Sequence, residues 1–328
     1  MVPVVKLSSM SQVSPVTMTD VLAARERIAG RVRRTPLVSS ETLSRRLGSH
    51  VYLKLELLQK TGSFKPRGAF NKLLAAGLAA GSRVVAVSGG NHAQAVAYAA
   101  RALGLHSTIF MPRNTPANYL EATREYGAEV VLVENIAEAF DALAQQERDG
   151  ATAVHPFDDP LVIAGQGTVG LEILEDLPQA TDLVVSIGGG GFIGGIAIAA
   201  KALNPRIRIW GVETVGADAM AQAVAAGKPV RLPAITSIAK TLGAPAVTER
   251  TLALVRQYVE SVTVVPDSAA IAAMAFLLER AKVLTEPAAA CTLAAADELR
   301  ENFSPDSHVV LVLCGGNVAL SDVCSYVS

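Results

Sequence analysis

The residues of this chain best placed to do chemistry sit in short windows that each follow an apolar run. The first is Lys60-Thr61-Gly62-Ser63-Phe64-Lys65-Pro66-Arg67-Gly68-Ala69. A lysine at a helix start opposes the helix dipole, which favours anions there, and Lys65 follows an apolar Phe64. Both features lower an amine pKa, and a desolvated lysine is what Schiff-base chemistry requires. The chain has only nine lysines (Lys6, Lys54, Lys60, Lys65, Lys72, Lys201, Lys228, Lys240 and Lys282), so a lysine-dependent mechanism has few candidates. The second window, Ser88-Gly89-Gly90-Asn91-His92, opens a helix whose free N–H groups can hold a carboxylate or a phosphate. The third, Ser186 to Gly195, carries four successive glycines, Gly188 to Gly191, and is a natural phosphate cradle. The fourth pairs Thr285-Glu286-Pro287 with Cys314-Gly315-Gly316-Asn317, where Cys314 ends an apolar strand.

Each window has a competing reading. Lys65 can be a solvated loop lysine, Asn91 an N-cap, Cys314 an inert core thiol and Glu286 a favourable charge at a helix start. Ser88 loosely imitates the nucleophile elbow of hydrolases but lacks its first glycine. Gly189, Gly191 and Gly194 satisfy G-x-G-x-x-G, with Glu213 about twenty residues on, as a dinucleotide site asks of its ribose-binding acid. On this window alone NAD and a single phosphate compete evenly.

These windows need strands and helices to hold them. Apolar runs predict strands near Val51–Leu55, Val84–Val87, Thr108–Met111, Val130–Val133, Leu183–Ile187, Ile207–Val212, Val262–Val265 and Val309–Leu313. Helical patterns fall near Arg67–Ala79, Asn91–Leu103, Pro116–Tyr126, Ile136–Gln146, Val162–Glu175, Phe192–Ala202, Ala217–Ala226, Ser268–Ala281 and Ala288–Leu299. The alternation predicts an α/β fold with mostly parallel sheets covered on both faces. The lysine-free stretch 83–150 reads as a small inserted α/β domain, leaving 1–82 and 151–328 as the larger one.

Composition closes off other classes. With 328 residues, 29 basic and 30 acidic, the formal charge is −1, and aromatics make up 5%. Such a chain has neither the field nor the rings for nucleic-acid binding. Half of it is hydrophobic and 18% charged, which excludes disorder. Cys291, Cys314 and Cys324 show no disulfide or zinc spacing, the stretch through Met18 reads as a loose tail rather than a signal peptide, and the cytoplasm is the expected compartment. Leu183 to Ala200 is uncharged over eighteen residues and imitates a membrane span, but its six glycines fit a strand, a turn and a helix instead. No membrane partner is expected.

Taken together and in order, the windows resemble the fold-type II pyridoxal phosphate enzymes, specifically the serine/threonine dehydratase and serine racemase group. The resemblance runs from Arg34-Thr35-Pro36-Leu37 to Cys314-Gly315-Gly316-Asn317 and includes Ala164-Gly165-Gln166-Gly167-Thr168. It implies a two-domain architecture like the tryptophan synthase β chain, with twisted, mostly parallel sheets and 1–82 plus 151–328 binding the cofactor. It also implies pyridoxal 5'-phosphate held covalently by Lys65, which then serves as the base at Cα. Phe64 is implied to flank the ring, Asn91 to meet the ring hydroxyl, Gly188, Gly189, Gly190 and Gly191 to bind the phosphate, and Glu286 and Cys314 to complete the cofactor site. Ser88, Asn91 and His92 are implied to hold the carboxylate of an amino-acid substrate. The resemblance thereby decides the third window against NAD. The implied reaction removes the β-hydroxyl of a hydroxy amino acid such as threonine or serine, giving a 2-keto acid and ammonia, with the cofactor phosphate protonating the departing hydroxyl. Threo-3-hydroxyaspartate or another specialised substrate, serine racemisation, and a non-catalytic small-molecule-binding protein on the same scaffold are the alternatives. A homodimer is expected.

Three departures bear on this resemblance. Gly89 stands where the racemases carry a serine base, which favours elimination. Cys314 offers the ring nitrogen an uncharged thiol. The divalent-cation site of the group finds Glu213 and Ala217, but its second acid falls on Ala219, with Asp218 one residue early. The segment Ser237-Ile238-Ala239-Lys240-Thr241-Leu242-Gly243 is also unusual, and Lys240 or its neighbours are expected to alter side-chain preference. The sequence runs only a few residues past Asn317, so feedback control through the regulatory domain of biosynthetic threonine dehydratases is not expected.

Overall fold

A computed structural model of the chain describes residues 16–134 and 136–327. Ten strands, numbered in chain order, are β1 (Leu37–Ser39), β2 (His50–Leu55), β3 (Arg83–Val87), β4 (His106–Pro112), β5 (Glu129–Val133), β6 (Thr152–Ala153), β7 (Asp182–Ser186), β8 (Arg208–Thr214), β9 (Ser261–Val265) and β10 (His308–Leu313). They form two sheets, one of order β1-β2-β10-β7-β8-β9 and one of order β5-β4-β3-β6. Every pairing is parallel except that of β1 with β2. Parallel strands must be covered on both faces, which is why β7 and β10 read as unbroken apolar runs rather than alternating ones.

All eight expected strands are present. The two not anticipated, β1 and β6, have three and two residues, too few to show a period. The fourth strand of the smaller sheet, β6, lies just beyond the 83–150 stretch. Nine expected helices form with ends shifted by a few residues. The one expected from Ala217 begins at Ala219, and that over Ser268–Ala281 is α-helical only over Asp267–Phe276, closing in a π-turn at Leu277–Ala281. Helices Met18–Ile28, Glu41–Leu47, Glu249–Tyr258 and Leu320–Val327 were not anticipated. The first corrects the loose-tail expectation at its end. Thr17 and Asp20 form a reciprocal capping box, and Val21, Ala24 and Ile28 are buried; the rest of that expectation, residues 1–15, lies outside the described residues. The segment that imitates a membrane span is β7, a turn and the start of helix Gly191–Leu203, and among the described residues no helix is long and apolar enough to cross a membrane.

Three helices hold the site elements in place. Helix Pro160–Asp176 packs against both Pro66–Ala75 and Gly191–Leu203. Its Gly165 and Gly167 allow this, because a Cβ on Gly165 would lie 2.6 Å from the Arg67 carbonyl and one on Gly167 2.8 Å from the Gly195 carbonyl. The contact fixes the helix after Lys65 relative to the helix after the glycine run. Beneath it lies a buried ionic quartet. Arg67 bridges Glu56 (2.8 Å) and Glu172 (2.6 Å), and Lys54 pairs with Glu172 (2.6 Å). Two cations and two anions cancel, which is the condition for such charges to persist in a core.

Candidate functional site

The site forms where the carboxyl ends of β3, β7 and β10 converge, the place where ligands bind in open α/β sheets. Lys65 is delivered there by a strained strap. Thr61 and Gly62 take successive left-handed conformations (φ 62° and 71°), and Phe64 N then donates to the Cys314 carbonyl (3.1 Å) while Gly316 N donates to Gly62 (2.9 Å). The strap is thus laced to the end of β10. Lys65 caps helix Pro66–Ala75, as expected, and its Nζ donates to the Pro156 carbonyl at 2.8 Å. Burial pushes the amine pKa down to about 8, against the opposing pull of Cys314 and Glu286. The Phe64 ring stacks on Phe192, with centroids 3.7 Å apart.

The glycine run begins just after the end of β7. Gly190 has φ +90°, a left-handed conformation that glycine adopts without strain, and caps helix Gly191–Leu203. A Cβ on Gly189 would fall into the Phe157 ring, and one on Gly191 onto the Phe157 carbonyl. The run is therefore a close-fitting concave turn that presents the unpaired first N–H groups and positive dipole end of a helix to whatever lies in the pocket.

Opposite stands a hydrogen-bonded chain built on Asn91. The structure makes Asn91 the first helical residue rather than the N-cap, which is Gly90; its side chain is directed across the site. Asn91 Nδ2 donates to both Glu286 oxygens (3.0 Å each), and Asn91 Oδ1 accepts from Asn317 Nδ2 (2.8 Å), which also donates to the Thr61 carbonyl (2.7 Å). Thr241 Oγ1 donates to Glu286 Oε1 at 2.8 Å. Burial raises the Glu286 carboxyl to about 7, although the Asn91 and Thr241 hydrogen bonds favour its charged form. At the end of β10, Ser186 Oγ donates to Cys314 Sγ (3.4 Å), and burial, then the nearby Glu286 carboxylate, pushes the thiol up, keeping it neutral.

All of Phe64, Lys65, Asn91, Gly188, Gly189, Gly190, Gly191, Glu286 and Cys314 line one pocket. An adjoining cavity of about 490 Å³ is lined by Lys65, Ser88, Asn91 and His92, so Lys65 and Asn91 belong to both. Ser88 Oγ accepts from Gly90 N at 3.1 Å. The His92 ring faces elsewhere. Its Nε2 meets the Val154 carbonyl at 2.8 Å and must carry the proton, and burial with Lys65 nearby pushes its pKa down to about 3. Only the backbone N–H of His92 is left for a carboxylate. Among the residues the sequence did not single out, Asn317 and Thr241 lay inside quoted motifs without a role, and Pro156 and Phe157 carried no signal.

The residues at the divalent-cation position make contacts within the fold. Glu213 is buried, and its two oxygens accept from Met220 N (2.9 Å) and Ala221 N (2.8 Å), so it caps helix Ala219–Ala226. That use also removes it as a ribose-binding acid. Ala217 N bonds back to Thr214, and among the described residues no group of three or more His, Cys, Asp or Glu could hold a metal ion.

The pocket therefore joins a desolvated lysine amine, an anion cradle at a helix N-terminus and a neutral thiol. The chain belongs to the family of pyridoxal-phosphate dependent enzymes, whose pattern it matches over residues 28–315. The donor set fits that cofactor, with an amine for the aldehyde and a glycine turn for the phosphate. Within the family the chain is 44% identical over 310 residues to L-threonine ammonia-lyase of Geobacter sulfurreducens, covering 93% of this chain and 76% of that one. It is 41% identical to a serine racemase of Oryza sativa subsp. indica, over 90% of this chain and 89% of that one. The solved structure of maize serine racemase superposes with a TM-score of 0.89 at 39% identity, over 96% of this chain and 97% of that one.

Proposed function

We propose that the protein is a pyridoxal phosphate-dependent lyase that removes the β-hydroxyl of a hydroxy amino acid such as threonine or serine and releases a 2-keto acid and ammonia. The observation that carries this reading is the shared position of Lys65, a desolvated amine at the junction of an anion cradle and a second cavity in which position 89, a glycine, carries no side chain. Bound pyridoxal phosphate supplies the electron sink that stabilises negative charge at Cα. The chain does the rest. Gly188 to Gly191 hold the phosphate, Phe64 flanks the ring, Asn91 meets the ring hydroxyl, and the neutral Cys314 thiol faces the ring nitrogen. Ser88 and the first N–H groups of helix Asn91–Ala102 hold the substrate carboxylate. Lys65 Nζ, with a pKa of about 8, takes the Cα proton at near-neutral pH. With no second base at Gly89, the proton is not returned from the opposite side and loss of the hydroxyl follows.

A second reading concerns the side chain. Lys240 is exposed, lines the larger cavity, and among the described residues its ammonium has no ion pair, which favours a substrate with a second carboxylate such as threo-3-hydroxyaspartate. A panel of L-threonine, L-serine and threo-3-hydroxyaspartate, scored by ammonia release from the holoenzyme, tests both readings. Turnover of none of them overturns the lyase assignment, and a preference for the diacid that survives Lys240→Met overturns the role of Lys240. We further propose a cytoplasmic homodimer in which strands β3 to β6 form the core of a small inserted domain; light scattering of the purified protein tests the assembly.

A further inference from the structure

The cavity wall at Gly89 contains a hydroxyl with nothing to bind. Thr115 is 9% exposed and lines the larger cavity together with Lys65, Ser88 and Gly89. Its backbone is pinned by a turn between two prolines, Thr115 N donating to the Pro112 carbonyl at 2.9 Å. Among the described residues its Oγ1 makes no hydrogen bond. The hydroxyl lines the cavity with no protein partner among those residues, free to meet a ligand or a water there. The position of Oγ1 is also informative. A Cβ built on Gly89 would lie 2.8 Å from it, the next atoms being Pro112 Cδ at 3.6 Å and Thr115 Cγ2 at 3.7 Å. The Thr115 hydroxyl therefore occupies the space that a side chain at position 89 would take.

We propose that Thr115 is a substrate-binding residue whose hydroxyl donates a hydrogen bond to the α-carboxylate of the bound amino acid. The inference rests on the amino-acid lyase reading above and adds a contact to it. Gly89 sits between Ser88 and Gly90, the N-cap of helix Asn91–Ala102, where unpaired N–H groups favour an anion. A threonine hydroxyl beside that helix end is a neutral donor. It adds a hydrogen bond to the carboxylate. Glycine at 89 then has a positive reason: a side chain there displaces the Thr115 hydroxyl.

The test uses the holoenzyme of Thr115→Val, which keeps the shape and loses the hydroxyl, Thr115→Ser, which keeps the hydroxyl, and Gly89→Ala. Amino-acid binding is read by the change in cofactor absorbance on titration with glycine, a probe with a carboxylate and no leaving group, so the readout does not depend on turnover. A hydrogen bond to a charged group predicts glycine binding weakened roughly ten- to a hundredfold in Thr115→Val and in Gly89→Ala, and within about threefold of wild type in Thr115→Ser. The double variant Gly89→Ala/Thr115→Val should bind no more weakly than either single variant, since both remove one interaction. Unchanged glycine affinity in Thr115→Val, equal losses in the Ser and Val variants, or multiplied losses in the double variant would each overturn the proposal. Wild-type protein that binds glycine but releases ammonia from no hydroxy amino acid would instead overturn the lyase reading and leave Thr115 to be judged on the titration.

Discussion

Asn91 Nδ2 lies 3.0 Å from both carboxylate oxygens of Glu286, 195 residues away, so one amide is fixed by an acid that burial raises to about 7. A charged Glu286 accepts from Asn91 and Thr241 together; a protonated one gives up part of that acceptor capacity. The orientation of Asn91 is thereby tied to a group that titrates near neutrality.

The first prediction concerns that titration. The Glu286 carboxyl has its folded pKa above the ordinary value of 4.5, so its contribution to stability is full below about 4.5 and is lost as pH rises through about 7. Glu286→Gln removes the term. Cofactor-free wild type should lose stability relative to the Gln variant as pH rises between those values in urea titrations, and parallel curves would contradict the assignment.

The second concerns Lys65. Its pKa of about 8 is depressed by burial, so the neutral amine, and with it the rate of covalent attachment of added pyridoxal phosphate, should increase as pH rises through about 8. Borohydride reduction followed by peptide mapping should place the cofactor on Lys65, and Lys65→Ala should lower turnover by about a thousandfold or more.

The third concerns the cradle. Gly191→Val places a side chain on the Phe157 carbonyl and blocks the turn without touching Lys65. Cofactor affinity measured by equilibrium dialysis should fall by at least about tenfold, the size of one lost charged hydrogen bond. Unchanged affinity would move the phosphate elsewhere.

The fourth concerns the quartet beneath the site. Glu172→Leu leaves Arg67 and Lys54 sharing only Glu56, and breaking a buried pair by removing one partner costs about 3–5 kcal/mol. Chemical denaturation should show a loss of that size. A loss below about 1 kcal/mol, the scale of exposed pairs, would mean that water reaches the quartet.

Sequence patterning located what depends on local composition. Apolar runs marked the eight longer strands, and the glycine run between strand and helix marked the cradle, because burial on both faces and tight turns each leave a local signature. What was not legible depends on distant residues meeting. Nothing in the sequence set Arg67, two residues after Lys65, apart from other charges, and only folding places it between Glu56 and Glu172. The spacing of Glu213 fits a motif, but its bonds to the backbone N–H groups of the helix that follows have no signature in the sequence. Asn317 and Thr241 acquire their roles only because both converge, directly or through Asn91, on Glu286.

The central claim is elimination without a second proton-moving group at Gly89. It is tested most directly by incubating the holoenzyme with L-serine and following 2-keto acid and D-serine together by chiral chromatography. The account predicts keto acid and ammonia in equal amounts, with D-serine at background; D-serine formed faster than keto acid would contradict it.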